Sequence, residues 1–175
     1  MLVTPAGGLR YLLRSMNEVD PELLRNAEEL VRPGHVVWDI GANIGTFTFA
    51  AAALAGPKGK ILAFEPDSFL VQLLRRSRKL QPDSSAPVSV IPIAIAADIG
   101  LRRFEIHDRS RAQNTLAEYS DLKAVGFRDE HIVPSFNLDR LLDTQPKPDI
   151  IKCDVERAEL RSSQIRQRCF RQFAH

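Results

Sequence analysis

Residues 36–65 read VVWDIGANIGTFTFAAAALAGPKGKILAFE, and the fold turns on this stretch. Val36, Val37, Trp38, Asp39 and Ile40 form an apolar run of strand length. After a glycine-bearing bend, the run 46–55 has the length and composition of a buried helix, closed by Gly56 and Pro57. Gly59 then turns the chain into a second short run, Ile61, Leu62, Ala63, Phe64 and Glu65. Strand, helix and strand in that order make a parallel pair with a right-handed crossover. Upstream, Arg32-Pro33-Gly34 is a turn. Before it, Leu9, Leu12, Leu13 and Met16 recur at helical spacing, and Asp20-Pro21-Glu22 supplies an N-cap, a first-position proline and a first-turn acid, so two short helices are expected. Downstream, Pro66-Asp67-Ser68 opens a helix with Leu70, Leu73, Leu74 and Leu80 facing inward. Arg75, Arg76, Arg78 and Lys79 collect at its negative end as a solvated, dipole-complementing face. Residues 88–97 read as one strand bent at Pro92, and 98–100 as a turn into a strand over 101–106. Residues 107–131 lack strong periodicity and are expected to be a lid, a substrate loop or a disordered excursion. A helical turn at 137–142 and an apolar strand ending in acid at 149–154 complete the pattern. The alternation predicts an α/β protein with a Rossmann-like, doubly wound, mostly parallel sheet covered on both faces.

The chain has 175 residues, 44% of them hydrophobic and 26% charged, which suits one compact domain. Its net charge of +2 is uneven: residues 157–175 hold five Arg and one Glu, so the first 156 positions sum to −2. A basic tail of this kind is poor support for a nucleic-acid surface, and no nucleic acid is expected. The two cysteines, Cys153 and Cys169, cannot make a disulfide framework and stand in no metal-like spacing with a histidine. No metal is expected, and a reducing cytoplasm fits. The apolar stretches 47–55 and 88–97 are about half of the ~20 residues that a membrane helix requires, so no membrane span is expected. The first twenty residues lack the basic start and apolar run of an export signal.

In sheets of this kind ligands settle at the carboxyl ends of the strands, which selects Asp39, Glu65 and Asp154. The bend between the first strand and helix is Asp39-Ile40-Gly41-Ala42-Asn43-Ile44-Gly45. Gly41 and Gly45 remove side chains there, so that a ligand can approach main-chain N–H groups. Their G-x-x-x-G spacing departs from the G-x-G-x-x-G of dinucleotide pyrophosphate sites, and no Gly-Lys-Ser/Thr ending marks a nucleotide P-loop. What remains is a ligand with a ribose and little or no phosphate. Glu65, 20 residues after Gly45, can accept hydrogen bonds from both vicinal ribose hydroxyls.

Several segments resemble the FkbM-type class I methyltransferases. These are 37–45, Ala63-Phe64-Glu65-Pro66-Asp67, Asn114-Thr115-Leu116, Leu138-Asp139 and 151–159, together spanning roughly residues 32–160. The resemblance implies S-adenosyl-L-methionine as cofactor and O-methylation of a hydroxyl on a small molecule, glycan or lipid-linked acceptor. It assigns Asp39, Gly41, Asn43 and Gly45 to the methionine and ribose portion of the cofactor, Glu65 to the ribose, and 96–98, with Asp98, to the adenine. Methyl transfer from a sulfonium needs an oriented acceptor and a destination for its proton. Asp154 is the candidate base, with Glu156 and Glu159 lining the same mouth; His107 and His131 are alternatives flanking the long loop, and Lys152 is expected to pair with an acid or face solvent. Asp154 is equally suited to capping a following helix.

The family pattern implies a strand order of 3-2-1-4, which leaves 149–154 as an uncovered apolar edge open to homodimerisation. Arg157 stands where the family has a glycine, and the resemblance stops near residue 160. The division expected is therefore an N-terminal helical extension over 1–31, a core over 32–160 lacking the last strands, and a basic divergent or truncated tail over 161–175. Ile165, Cys169 and Phe173 share a helical face, which predicts an amphipathic helix there. Two other readings stay open: a non-catalytic, methyltransferase-like cofactor-binding module, and an NAD-type oxidoreductase, which the glycine spacing disfavours.

Overall fold

A computed structural model of the chain describes residues 21–107, 115–116, 127–154 and 169–171. Helix α1 (Pro21–Leu30) leads into β1 (Val36–Ile40), α2 (Thr46–Ala55), β2 (Lys60–Phe64), α3 (Ser68–Arg78) and β3 (Val88–Ile91). Strand β4 (Ala94–Ile95), β5 (Gly100–His107), β6 (Thr115–Leu116) and β7 (Phe127–Phe136) follow, then α4 (Leu138–Thr144), β8 (Ile150–Cys153) and β9 (Cys169–Arg171). Five strands form an all-parallel sheet in the order β3-β2-β1-β8-β9. The α/β class and the mostly parallel central sheet are as the sequence predicts.

The central strands are apolar on both sides because helices cover both faces. On one face Val37, Ile61, Ala63, Val88, Val90 and Ile150 pack against α1, α2 and α3. Helix α2 is buried almost all round, which explains its run of alanines and phenylalanines. On the other face Trp38, Ile40, Leu62, Phe64 and Ile151 meet Leu138 and Leu141 of α4. Trp38 packs edge-on against Phe64 at 5.4 Å, and its ring N–H donates to the Pro146 carbonyl at 3.0 Å. A fully buried indole is thereby satisfied.

Five expectations are corrected. The segment around Pro92 is not one bent strand: β3 pairs with β2, whereas β4 pairs with β7 in a second sheet of order β4-β7-β5-β6. Pro92 has no N–H with which to continue a ladder, and the chain changes sheets there. The long connection also carries regular structure, since β7 runs antiparallel to β5 from Phe127 onward. Leu80 is 61% exposed, because α3 ends at Arg78 and the helical period stops with it. Finally, β8 is not an edge. Strand β9 lies parallel beside it with Ile151 opposite Cys169 and Cys153 opposite Arg171. The tail thus contributes a strand at 169–171 where an amphipathic helix was expected, and the core has one strand more than expected. The edge proposed for homodimerisation is covered, and the apolar residues of β8 pack into the cores on the two sheet faces, Ile150 on one and Ile151 with Cys153 on the other. The expected helix over 9–16 lies outside the described residues. Among the described residues no helix is long and apolar enough to cross a membrane.

Candidate functional site

The carboxyl ends of β1, β2 and β8 lie side by side, and each delivers a polar side chain. Asp39 is the penultimate residue of β1 and is fully buried. It sits on the sheet face that carries α2, whose Thr48 hydroxyl donates to Asp39 Oδ2. Directly opposite on β8 stands Lys152, also buried, with its ammonium 3.1 Å from Asp39 Oδ1. That contact is an ion pair without the direction of a good hydrogen bond. The ammonium also donates to the Gly41 carbonyl at 3.0 Å and lies 3.6 Å from Asp154 Oδ2. Burial alone would depress the Lys152 ammonium, but the charges of Asp39 and Asp154 outweigh it and raise it above the ordinary lysine value.

From Asp39 the chain bends through 41–45. Gly41 (φ 73°), Asn43 (φ 52°) and Gly45 (φ 95°) all adopt left-handed backbone, and the first and last use the freedom of glycine. The Gly41 and Ala42 amides both donate to the Phe64 carbonyl, at 3.0 and 3.1 Å, which ties the bend to the end of β2. Gly45 has a second duty. A Cβ there would lie 2.5 Å from Phe49 Cε2 and 2.7 Å from Leu74 Cδ2, so its bareness serves the contact between α2 and α3 as well as the turn.

Glu65 follows β2 and is 5% exposed. Its Oε2 accepts the Asn43 amide at 2.8 Å, and its Oε1 accepts the Asp67 amide at 2.9 Å. Burial pushes the carboxyl up to about 7, against the opposing pull of those two N–H donors; the charge of Asp67 adds to the rise and that of Lys152 subtracts. Asp67 itself caps α3, accepting the Phe69 amide at 2.8 Å. Each Glu65 oxygen keeps acceptor capacity beyond its one backbone bond, so two adjacent hydroxyls on a ligand would match it. The fit to a ribose diol is therefore good.

Of the residues singled out from sequence, Asp39, Gly41, Asn43, Gly45, Glu65 and Asp154 come together at this end of the sheet. Asp154 is half-exposed there, and its amide donates to the Ile40 carbonyl at 3.0 Å. Asp98 is not joined to them: its side chain is 80% exposed and meets Arg102 at 3.5 Å. His131 lies in β7, with Nε2 3.3 Å from Asp129. Glu156, Arg157, Glu159 and the His107 side chain lie outside the described residues. The sequence reading gives Thr48 no role, and for Lys152 the structure selects the pairing with an acid over exposure to solvent. A hydroxyl inside a run of alanine and phenylalanine, and a lysine inside Ile-Ile-Lys-Cys, were the available signals.

Comparison with known proteins fits this geometry. The chain is 29% identical over 152 residues to the hexuronic acid methyltransferase AglP of Haloferax volcanii. That alignment covers 85% of this chain and 55% of the relative, so the chain spans about half the length of the curated protein it matches. The methyltransferase FkbM domain matches residues 39–162, beginning at the buried aspartate of β1 and running past Asp154. With most of its length inside that match, the chain belongs to the FkbM methyltransferase family.

Proposed function

We propose that the chain binds S-adenosyl-L-methionine at the 39–45 bend and Glu65, and transfers its methyl group to a hydroxyl of a sugar-containing acceptor. The observation that carries this reading is the Glu65 carboxylate, buried beside the bend with one backbone N–H on each oxygen. A carboxylate so anchored cannot swing away, and its remaining acceptor sites suit the vicinal hydroxyls of a ribose. When bound, the cofactor supplies an electrophilic methyl on sulfur. Gly41, Asn43 and Gly45 hold the bend in the shape that receives its amino-acid and ribose portions, and Asp39 with Lys152 fixes the base of that bend from below. Asp154, half-exposed at the neighbouring strand end, orients the acceptor hydroxyl and takes its proton. Glu156 and Glu159 are proposed to line the same mouth, and Asp98 to lie at the adenine end. The acceptor class is suggested by the hexuronic acid named for the Haloferax relative.

Calorimetric titration with S-adenosylhomocysteine tests the first half. Binding in the micromolar range is expected for the intact chain and not for NAD. Incubation with methyl-labelled S-adenosylmethionine and a panel of hexuronate-bearing and neutral glycans tests the second, with label expected on a sugar hydroxyl. NAD binding without S-adenosylhomocysteine binding refutes the reading. Cofactor binding with no label on any acceptor favours a non-catalytic cofactor-binding module.

A further inference from the structure

Lys152 stands out as a buried cation whose contacts exceed what charge neutralisation requires. If it served only to balance Asp39, the 3.1 Å ion pair would suffice. The same ammonium also donates to the Gly41 carbonyl at 3.0 Å and reaches Asp154 Oδ2 at 3.6 Å, so it touches the bend on one side and the half-exposed strand-end carboxylate on the other. A buried ion pair is a poor source of net stability, since desolvation of both charges consumes most of the attraction. Its physical advantage is geometric: one hydrogen bond to the Gly41 carbonyl and two ion-pair contacts gather three oxygens from two strand ends and the bend around a single ammonium.

We propose that Lys152 is a positioning residue that locks the 41–45 bend to Asp154, so that the cofactor-binding turn and the acceptor-side carboxylate move as one unit. The inference rests on the methyltransferase reading of the site. Asp39 is the foot of this arrangement, held from the opposite side by the Thr48 hydroxyl. Gly41 reports to the bend through its carbonyl, while its amide and that of Ala42 are committed to Phe64. Asp154 has the longest of the three contacts, so its carboxylate keeps room to turn toward an acceptor while staying tethered.

Removing Lys152 alone would strand the buried Asp39 and risk unfolding. The test therefore compares the intact chain carrying Lys152→Met with Asp39→Asn against the Asp39→Asn single variant and wild type. The double variant is expected to melt within a few degrees of wild type, whereas Asp39→Asn, which leaves the buried Lys152 without its nearest counter-charge, is expected to melt several degrees lower. Hydrogen–deuterium exchange over the bend, read on peptides spanning 39–47, is expected to quicken by about tenfold or more in the double variant and not in Asp39→Asn. Equal exchange in the two variants overturns the proposal, whatever the protein binds. A double variant that does not fold also overturns it, because Lys152 would then be structural. The second arm uses S-adenosylhomocysteine as probe. Asp154→Asn is expected to change its affinity about threefold or more in wild type, beyond the error of additivity, and to have no effect where Lys152 is Met. Additive effects overturn the coupling. Failure of wild type to bind S-adenosylhomocysteine overturns the methyltransferase reading instead, while the exchange arm still decides what Lys152 does to the bend.

Discussion

Changing the pH between 5.5 and 8.5 should change the affinity of the proposed cofactor site about thirtyfold through one carboxyl group. Glu65 is pushed to about 7 by burial. A ribose diol donates to the ionised form, so a proton must leave before the ligand can be held. If only the carboxylate binds, the apparent Kd for S-adenosylhomocysteine is multiplied by one plus the ratio of protonated to ionised Glu65. With a folded value of about 7, that factor is roughly 30 at pH 5.5, or about 2 kcal/mol, and close to one at pH 8 and above. Ligand-free stability should move the opposite way. The folded carboxyl keeps its proton to about 7 whereas the ordinary value is 4.5, so the folded state binds more protons across that interval. The Glu65 contribution to stability without ligand therefore falls as the pH rises from about 4.5 to 7, by a total of about 3 kcal/mol, and does not change further above. Calorimetric titrations at half-unit intervals, paired with urea melts of the free protein, measure both slopes. Glu65→Gln should bind weakly at every pH and lose both dependences. A wild-type Kd that is constant from pH 5.5 to 8.5 would show that Glu65 does not carry the ligand.

Three further substitutions test the parts of the site separately. Gly45→Ala places a Cβ against Phe49 and Leu74 at a left-handed residue and should destabilise the fold by about 2–4 kcal/mol, lowering Tm by roughly 5–15 °C; a Tm within a degree of wild type contradicts the packing described. Thr48→Val leaves the buried Asp39 Oδ2 without its hydroxyl and should cost about 1–3 kcal/mol in urea denaturation; a neutral result would mean that the hydroxyl is dispensable. Asp67→Ala removes the cap of α3 but keeps the backbone N–H that serves Glu65. About 1 kcal/mol of stability should be lost, with S-adenosylhomocysteine affinity at pH 8 changed less than in Glu65→Gln; a larger loss of affinity would give the Asp67 side chain a direct part in binding.

The central motif was legible because its signals are local. β1, α2 and β2 are each bounded by glycine, proline or a change of period, and the three strand-end acids follow from the parallel topology alone. What escaped is what depends on distant partners. β9 consists of three residues in a strongly basic segment, and only the exposed flank of β8 makes a strand of them. β7 carries Asp129, Glu130, His131 and Pro134 among its apolar residues, a composition that reads as loop until β5 is alongside. Gly45 looked like a ligand-approach residue, yet the obstacle to a side chain there is Phe49 and Leu74, the latter from a helix that begins beyond the next strand. Lys152 shows the limit most clearly, since its charge within an apolar run was visible but its three oxygen partners were not.

The span between Lys152 and Gly41 has a consequence for biosynthesis. They are 111 positions apart, so at about 5–20 residues per second a ribosome needs roughly 6–20 seconds after making the bend to produce the cation that ties it down. During that interval α2 can already cover β1, yet Asp39 has nothing but the Thr48 hydroxyl to offset its enclosure. An amino-terminal half that packed fully before then would enclose that aspartate without its cation, which is unfavourable until β8 docks. A strand translated long after the bend is thus the one that completes the site, so a chain interrupted before β8 would hold most of the motif's letters and little of its shape.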